Sequence, residues 1–432
     1  MNKKTAIIIL LFLVLGAIGT VSYFFFFNTN NEDDGGNVNI AEQPTSNFFP
    51  NSEETDPQNQ NQQNNSDGDF QKIPSLRQIS NNPVSGFTIF NETSTSTNEL
   101  INNTGEGNAT TTTEEIIDTE TVYKFINRSN GNIFQTNSKT LDVDRLSNRT
   151  IPKIQESFFV NNGNNVIDRY LDNSNNINTV YTKLINSDSA SSSEDLFVDL
   201  DSTNLPQNIN SINENINGLI LYALNNQNGT VGYIFDVETP EDQNFSFNTQ
   251  LSQVIISWFK ENTILIGTKS SDYSNGLLFE YNIDTQTRTK ILEVGTGFNF
   301  LARKDSDHIV YSDNSSGESN TYYFNTRTRN EVDLNISTVP SEKCVWSNTI
   351  NTMIYCAIPN NMSGLGYPNL WYQGQTSFND TLYRIDTATG LKVEVSSLEG
   401  NFDIFKPQVS DNDEYITFIN KKDLTLWSLD IK

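Results

Sequence analysis

The sequence predicts an all-β chain: a seven-bladed β-propeller preceded by one N-terminal transmembrane helix and a disordered linker. Three observations predict it. An uncharged apolar run extends from about Thr5 to Phe27. A tract of Asn, Gln, Asp, Glu, Ser and Gly follows from Asn28 to about Phe70, with no Lys or Arg. After Gln71 the texture is uniform, with short runs rich in Val, Ile, Phe, Tyr and Thr separated by Asn, Asp, Ser and Gly, and little helical periodicity.

The first element is the apolar run 5–27, behind a cytoplasmic N-terminus 1–4 that carries Lys3 and Lys4. A helix of that length spans a bilayer, and the positive-inside bias keeps the lysines in the cytoplasm. The expectation is a single-pass membrane protein with an extracytoplasmic C-terminal domain. A cleaved signal peptide is the alternative, since Ala17, Gly19 and Ser22 would suit a cleavage site. No cysteine follows the run, which excludes a lipoprotein anchor. The linker 28–70 buries too little apolar surface to offset its ordering entropy and reads as a disordered, acidic and polar spacer. A second polar tract, 91–118, lies between apolar runs and reads as an inserted surface loop.

Residues 71–432 form the propeller domain. In YRIDTATGLKVEV (Tyr383 to Val395), Asp386 accepts from backbone N–H groups just after it and Gly390 supplies positive φ, making a compact turn between strands. The pattern [Asp/Asn]-[Thr/Ser]-x-Thr recurs at Asn137, Asp284 and Asn325, with weaker versions at Asn186 and Asp236 and a last one at Asp430. The steps are roughly 40–60 residues, the scale of four-stranded blades. A second hairpin interleaves with the first, for example in FLARKDSDHIVYSD and QVSDNDEYITFIN. Two hairpin types per repeat give four strands per repeat, and seven repeats give seven blades. An irregular pair of β-sandwiches is the alternative, and it leaves the near-constant step unexplained. The last blade lacks a fourth strand, so SLRQIS (75–80) is expected to pair with the C-terminal strand and close the ring.

On these hairpins the chain from about Ser75 to Lys432 resembles the TolB-like and WD40-like propellers of bacterial envelopes. Ser410 to Asp413 and Asp386 to Gly390 resemble their two recurrent turns, and the whole is similar to membrane-anchored propeller proteins of bacteria. The Trp-Asp pairs and histidines of true WD40 blades are absent, as is the Gly-x-Ser-x-Gly elbow of the propeller peptidases. The resemblance implies a scaffold, and a scaffold does not fix an activity.

The balance of 53 acidic against 27 basic side chains, net −26, with no basic cluster, excludes nucleic acid as a partner. The single histidine, His308, removes poly-histidine metal sites and nearly every nucleophile–histidine arrangement. It reads as a solvated turn residue beside Asp307. The pairs Asp142/Asp144 and Asp199/Asp201 and the group Asp411, Asp413 and Glu414 match no calcium loop and read as chance neighbours in an acidic chain. No metal, cofactor or catalytic residue is expected. Cys344 and Cys356 lie on the two arms of one hairpin, which fits a cross-strand disulfide in an oxidising compartment; two buried free thiols are the alternative.

The insertion 358–380 in the sixth blade carries Tyr367, Trp371 and Tyr372. These aromatics are read either as a contact surface or as a plug folded over the channel mouth. The function that follows is a non-catalytic binding or scaffolding module for protein or glycan partners at the cell surface. The competing function is a carboxylate-dependent, glycan-active enzyme, because that chemistry needs only two suitably placed acids.

Overall fold

The computed structural model describes residues 75–432 except 105–107, 141, 186–196, 216, 315–318, 362–365, 397 and 399, and gives backbone alone for 97–104, 108–116 and 396. The N-terminal residues 1–4, the expected transmembrane segment 5–27 and the linker 28–70 lie outside the described residues, as does the Asn186 turn. Among the described residues no helix is long and apolar enough to cross a membrane.

The strands form seven four-stranded antiparallel sheets, the blades of a propeller. The first strands of the blades are Val84–Thr104, Ile154–Val160, Ile209–Glu214, Val254–Lys260, Asn299–Ala302, Cys344–Trp346 and Ile404–Val409, and residues of all seven line one central cavity. Each blade packs face to face on the next, so the core is divided into wedges shared by neighbours. Blades 3 and 4 share Leu221, Phe247, Ile256, Trp258 and Ile266; blades 4 and 5 share Phe259, Leu278, Phe298, Phe300 and Phe324. Among the described residues, the core cluster between blades 1 and 2 has four buried apolar side chains, Ile126, Ile133, Ile154 and Val166. Polar bonding supplements it: Asp168 is paired with Arg149 at 2.5 Å and accepts from Ser157, whose hydroxyl also meets Ser85 at 2.7 Å.

Ring closure uses both termini of the domain. Leu76–Ser80 lies antiparallel to Thr425–Asp430 and is the fourth strand of blade 7, with Leu76 opposite Leu429 and Gln78 opposite Trp427. Ile79 enters the wedge between blades 7 and 1 with Val84, Phe87 and Leu426. Arg77 reaches across to Asn137 O at 2.8 Å and Thr136 Oγ1 at 3.1 Å in blade 1.

The rim turns work as side-chain-capped reversals. Asn137 Oδ1 accepts from the N–H of Lys139 and Thr140, Asn325 Oδ1 from Arg327 and Thr328, and Asp386 Oδ1 from Ala388. In blade 4 the acceptor is Asn282, which receives the Thr285 N–H, rather than the expected Asp284 two residues later. Gly390 has φ of +73° and donates to Asp386 O at 2.8 Å, the left-handed position the turn requires.

The tract 91–118 is not an irregular loop. The first two strands of blade 1, Val84–Thr104 and Asn108–Asn127, continue beyond the blade as a two-stranded ribbon, paired from Asn91–Thr121 to Thr104–Asn108. Its Thr- and Ser-rich sequence favours extended backbone, and the tract lacks the regular apolar alternation that marks a half-buried strand.

Candidate functional site

The central cavity has a volume of about 640 Å³. Glu156 and Lys406 enter it where the inner strands depart from regular pairing. Register breaks fall near the start of several inner strands, between Val84 and Gly86, Ile154 and Glu156, Ile209 and Ser211, and Phe405 and Gln408. Such bulges re-aim side chains. Lys406 sits in the last of them with φ of +51°, followed by Pro407, which has no ladder N–H to give.

Glu156 is the centre of the resulting cluster. Arg169 Nη1 donates to its Oε2 at 2.8 Å, and Lys406 Nζ donates to its Oε1. Burial by itself would raise the Glu156 carboxyl, but Lys406 and Arg169 outweigh it and hold the group below its ordinary range. Lys406 is held above its usual value: burial opposes its charge, and Glu156 and Glu342 more than offset that. Its ammonium also lies 5.1 Å from the Phe158 ring and 5.4 Å from that of Phe405.

Glu342 comes from α1 (Pro340–Lys343), a single helical turn ahead of the inner strand of blade 6. Burial pushes its carboxyl up; Lys406 offsets this in part and Glu156 adds to the rise. Ser341 and Glu342 line the cavity while Lys343, one residue on, is fully buried outside it. The Ser341 N–H donates to Asn299 Oδ1 at 2.7 Å, and Asn299 Nδ2 donates to Ser341 Oγ at 2.7 Å and to the Tyr372 hydroxyl at 3.3 Å.

Tyr372 ends α2 (Asn369–Tyr372), in the connection between the second and third strands of blade 6. Of the three aromatics singled out in the sequence, it is the most exposed residue, at 39 %. Burial of its hydroxyl pushes the phenol far up. Trp371 is fully buried. Its Nε1–H donates to both Asp403 oxygens at 3.1 Å, and Lys343 lies 5.0 Å from its ring. Lys343 Nζ in turn donates to Asp380 at 2.5 Å and Asp403 at 2.7 Å, both fully buried. Tyr367 is half-buried, edge-on to Phe378 at 5.5 Å, in the small core under the loop.

Cys344 and Cys356 are directly opposite each other on the first two strands of blade 6 and are joined by a disulfide, with Cα atoms 4.1 Å apart. His308 begins the second strand of blade 5 instead of lying in a turn. It packs edge-on against Tyr323 at 5.5 Å and near Trp346 at 6.2 Å, and burial lowers its pKa. Four of the acidic groups have structural partners. Asp411 accepts from the Asn91 N–H at 2.9 Å, Asp413 from the Asn348 N–H at 2.9 Å and Thr349 Oγ1 at 2.6 Å, and Glu414 pairs with Lys432. Asp142 accepts from Thr140, while Asp144 and Asp199 are exposed strand residues. Among the described residues no three His, Cys, Asp or Glu side chains assemble as metal ligands.

The charged cavity residues were missed in the sequence. Their signal was present: IPKIQESFF, VPSEKCVW and IFKPQV each set a charge at or inside an inner apolar strand. Which of these charges meet is decided by the ring, since Glu156 and Lys406 are 250 residues apart.

No family model matches the chain, and no curated protein does. Among solved structures, an oligogalacturonate lyase from Vibrio parahaemolyticus is similar over 72 % of this chain and 86 % of its own, at 10 % identity and a TM-score of 0.47. TolB from Acinetobacter baumannii is similar over 78 % of this chain and 79 % of its own, at 12 % identity and a TM-score of 0.39. A functionally unknown protein from Desulfotomaculum acetoxidans covers 69 % of this chain and 89 % of its own, at 11 % identity and a TM-score of 0.45.

Proposed function

We propose that this chain is a membrane-anchored, extracytoplasmic propeller acting as a non-catalytic binding module for protein or glycan partners at the cell envelope. The anchor is the apolar run 5–27, and its support is the sequence. The observation that carries the binding reading is a cavity lined by all seven blades whose polar walls are not fully paired. Arg169 Nε, Asn210 Oδ1 and Glu342 Oε2 are buried without a hydrogen-bond partner. Buried polar atoms are normally satisfied, so residues of the cavity wall keep hydrogen-bonding capacity that the fold itself does not use. Tyr372, joined to the lining residue Ser341 through Asn299, supplies an aromatic contact beside it.

The test uses the purified full-length chain in detergent, crosslinked to envelope fractions and in parallel applied to a glycan array. A defined partner that is retained by the native chain and lost about tenfold with Tyr372→Ala supports the module. Turnover of a glycan with no retained partner sinks it.

One observation favours the enzyme reading. Glu342 is shifted up and Glu156 down in the same cavity, the division of roles that an acid and a carboxylate need. If this pair is catalytic, Glu342→Gln abolishes glycan cleavage; an unchanged rate removes it from consideration.

A further inference from the structure

Behind the cavity wall, one lysine is held against two carboxylates away from water. Lys343 ends α1, Asp380 begins the third strand of blade 6, Asp380–Asp386, and Asp403 precedes the inner strand of blade 7. All three side chains are fully buried. Lys343 Nζ donates to Asp380 Oδ2 at 2.5 Å, to Asp403 Oδ1 at 2.7 Å and to Ile404 O at 3.2 Å. The rings of Trp371 and Phe378 lie 5.0 and 5.8 Å from the ammonium. Lys421 also faces Asp403, and its own ammonium donates to Trp371 O at 2.6 Å.

The two carboxylates have unequal surroundings. Asp403 accepts from the Trp371 Nε1–H at both oxygens and from the Phe378 N–H at 3.0 Å. Asp380 Oδ2 accepts from the Ile404 N–H at 2.7 Å, while its Oδ1 is buried without a hydrogen-bond partner. Burial pushes the Asp380 carboxyl up; Lys343 offsets this in part, Asp403 adds to it and the Ile404 N–H offsets again. In water a lysine and an aspartate do not condense, because the amine is protonated and the acid ionised. A dry, apolar enclosure favours the neutral pair, and fixed contact replaces chance encounter.

We propose that Lys343 and Asp380 become joined by an intramolecular isopeptide bond, formed by the folded chain itself with Asp403 as proton carrier. One ammonium proton passes to Asp380, leaving an amine and a neutral acid. The amine nitrogen then bonds to Asp380 Cγ, and the charge that develops on Oδ2 is held by the Ile404 N–H. Asp403 takes a second proton from the nitrogen and delivers it to Oδ1, the C–Oδ1 bond breaks, and water leaves. Asp403 ends as it began, and nothing is oxidised or reduced. An enclosed ion pair is thereby exchanged for a neutral amide. Residue 343 is then linked to the third strand of blade 6 and residue 344, through its disulfide to Cys356, to the second, so the insertion 358–380 is closed covalently at its end.

Peptide mass spectrometry of the full-length chain, purified in detergent, reduced and denatured, tests this. Digestion after aromatic residues cuts at Trp346 and Phe378, between the two partners. Expected is a branched peptide in which Lys343 is joined to Asp380, lighter by one water than the sum of its two parts. In Asp403→Asn, which keeps the shape of the side chain and removes the proton carrier, the branched peptide should fall at least about tenfold, and in Lys343→Gln it should vanish. Separate, unmodified Lys343 and Asp380 peptides from the native chain overturn the proposal, and that result stands whether or not the variants fold. A water loss confined to Asp380 alone, as in aspartyl cyclisation, overturns it too. An undiminished branched peptide in Asp403→Asn overturns the role given to Asp403.

Discussion

At the scale of single residues, two charge clusters of opposite character lie on either side of α1. Lys343 with Asp380 and Asp403 is fully enclosed; the lysine bonds both carboxylates and the Trp371 indole bonds Asp403, while Asp380 Oδ1 stays without a hydrogen-bond partner. Removing one member of such a set strands the others and costs about 3–5 kcal/mol, so this cluster holds the loop over blade 6 in place. Glu156 with Arg169 and Lys406 borders the cavity, where Glu156 and Lys406 are about one-third exposed. Because the folded-state pKa of Glu156 lies below its ordinary 4.5, its contribution to stability is present above pH 4.5 and lost as the pH falls through the folded value. The native chain should therefore melt higher than Glu156→Gln at pH 7. That gap should close as the pH is taken well below 4.5, and a gap independent of pH in scanning calorimetry argues against the pairing. None of this was legible along the chain. A charge in an apolar strand is visible in sequence, but the counter-charge that makes it tolerable comes from another blade.

At the scale of elements, the repeated hairpins were legible because each turn is satisfied by its own side chains. Asn137, Asn325 and Asp386 cap N–H groups two or three residues on, and that bonding requires nothing from elsewhere. The ribbon was misread for a complementary reason: its ladder is backbone pairing, and at its base Glu92–Ser96 and Ile117–Thr119 are exposed. Thr93 opposite Thr119, their hydroxyls 3.3 Å apart, stands outside the apolar wedges. Replacing residues 94–118 by Asn-Gly, a two-residue hairpin turn, should leave the melting temperature within about 2 °C. A larger fall would show that the ribbon packs on the blade. α2 illustrates a third case. NLWY lies in the insertion whose aromatics read either as a contact surface or as a plug, and Trp371 is drawn inward because Asp403 and Lys343 are partners for its N–H and ring.

At the scale of the molecule, stability depends on closing the ring, because seven wedge-shaped cores are complete only when blade 7 meets blade 1. Ile79, 4 % exposed, packs into that last wedge from the strand Leu76–Ser80. Ile79→Ala should cost about 2–5 kcal/mol, read as a lower urea midpoint, whereas Ile117→Ala in the ribbon, where the side chain is 67 % exposed, should cost almost nothing. Equal effects would mean that the closing strand carries no more of the core than the ribbon does. The sequence by itself determined the blade count, the four-strand repeat and the source of the closing strand, since turn chemistry and strand alternation are local and recur at a nearly fixed step. Only the tertiary structure decided which residues face the axis and which of them meet. Glu156 of blade 2, Glu342 of blade 6 and Lys406 of blade 7 become neighbours through ring closure, a long-range constraint that local preference does not encode.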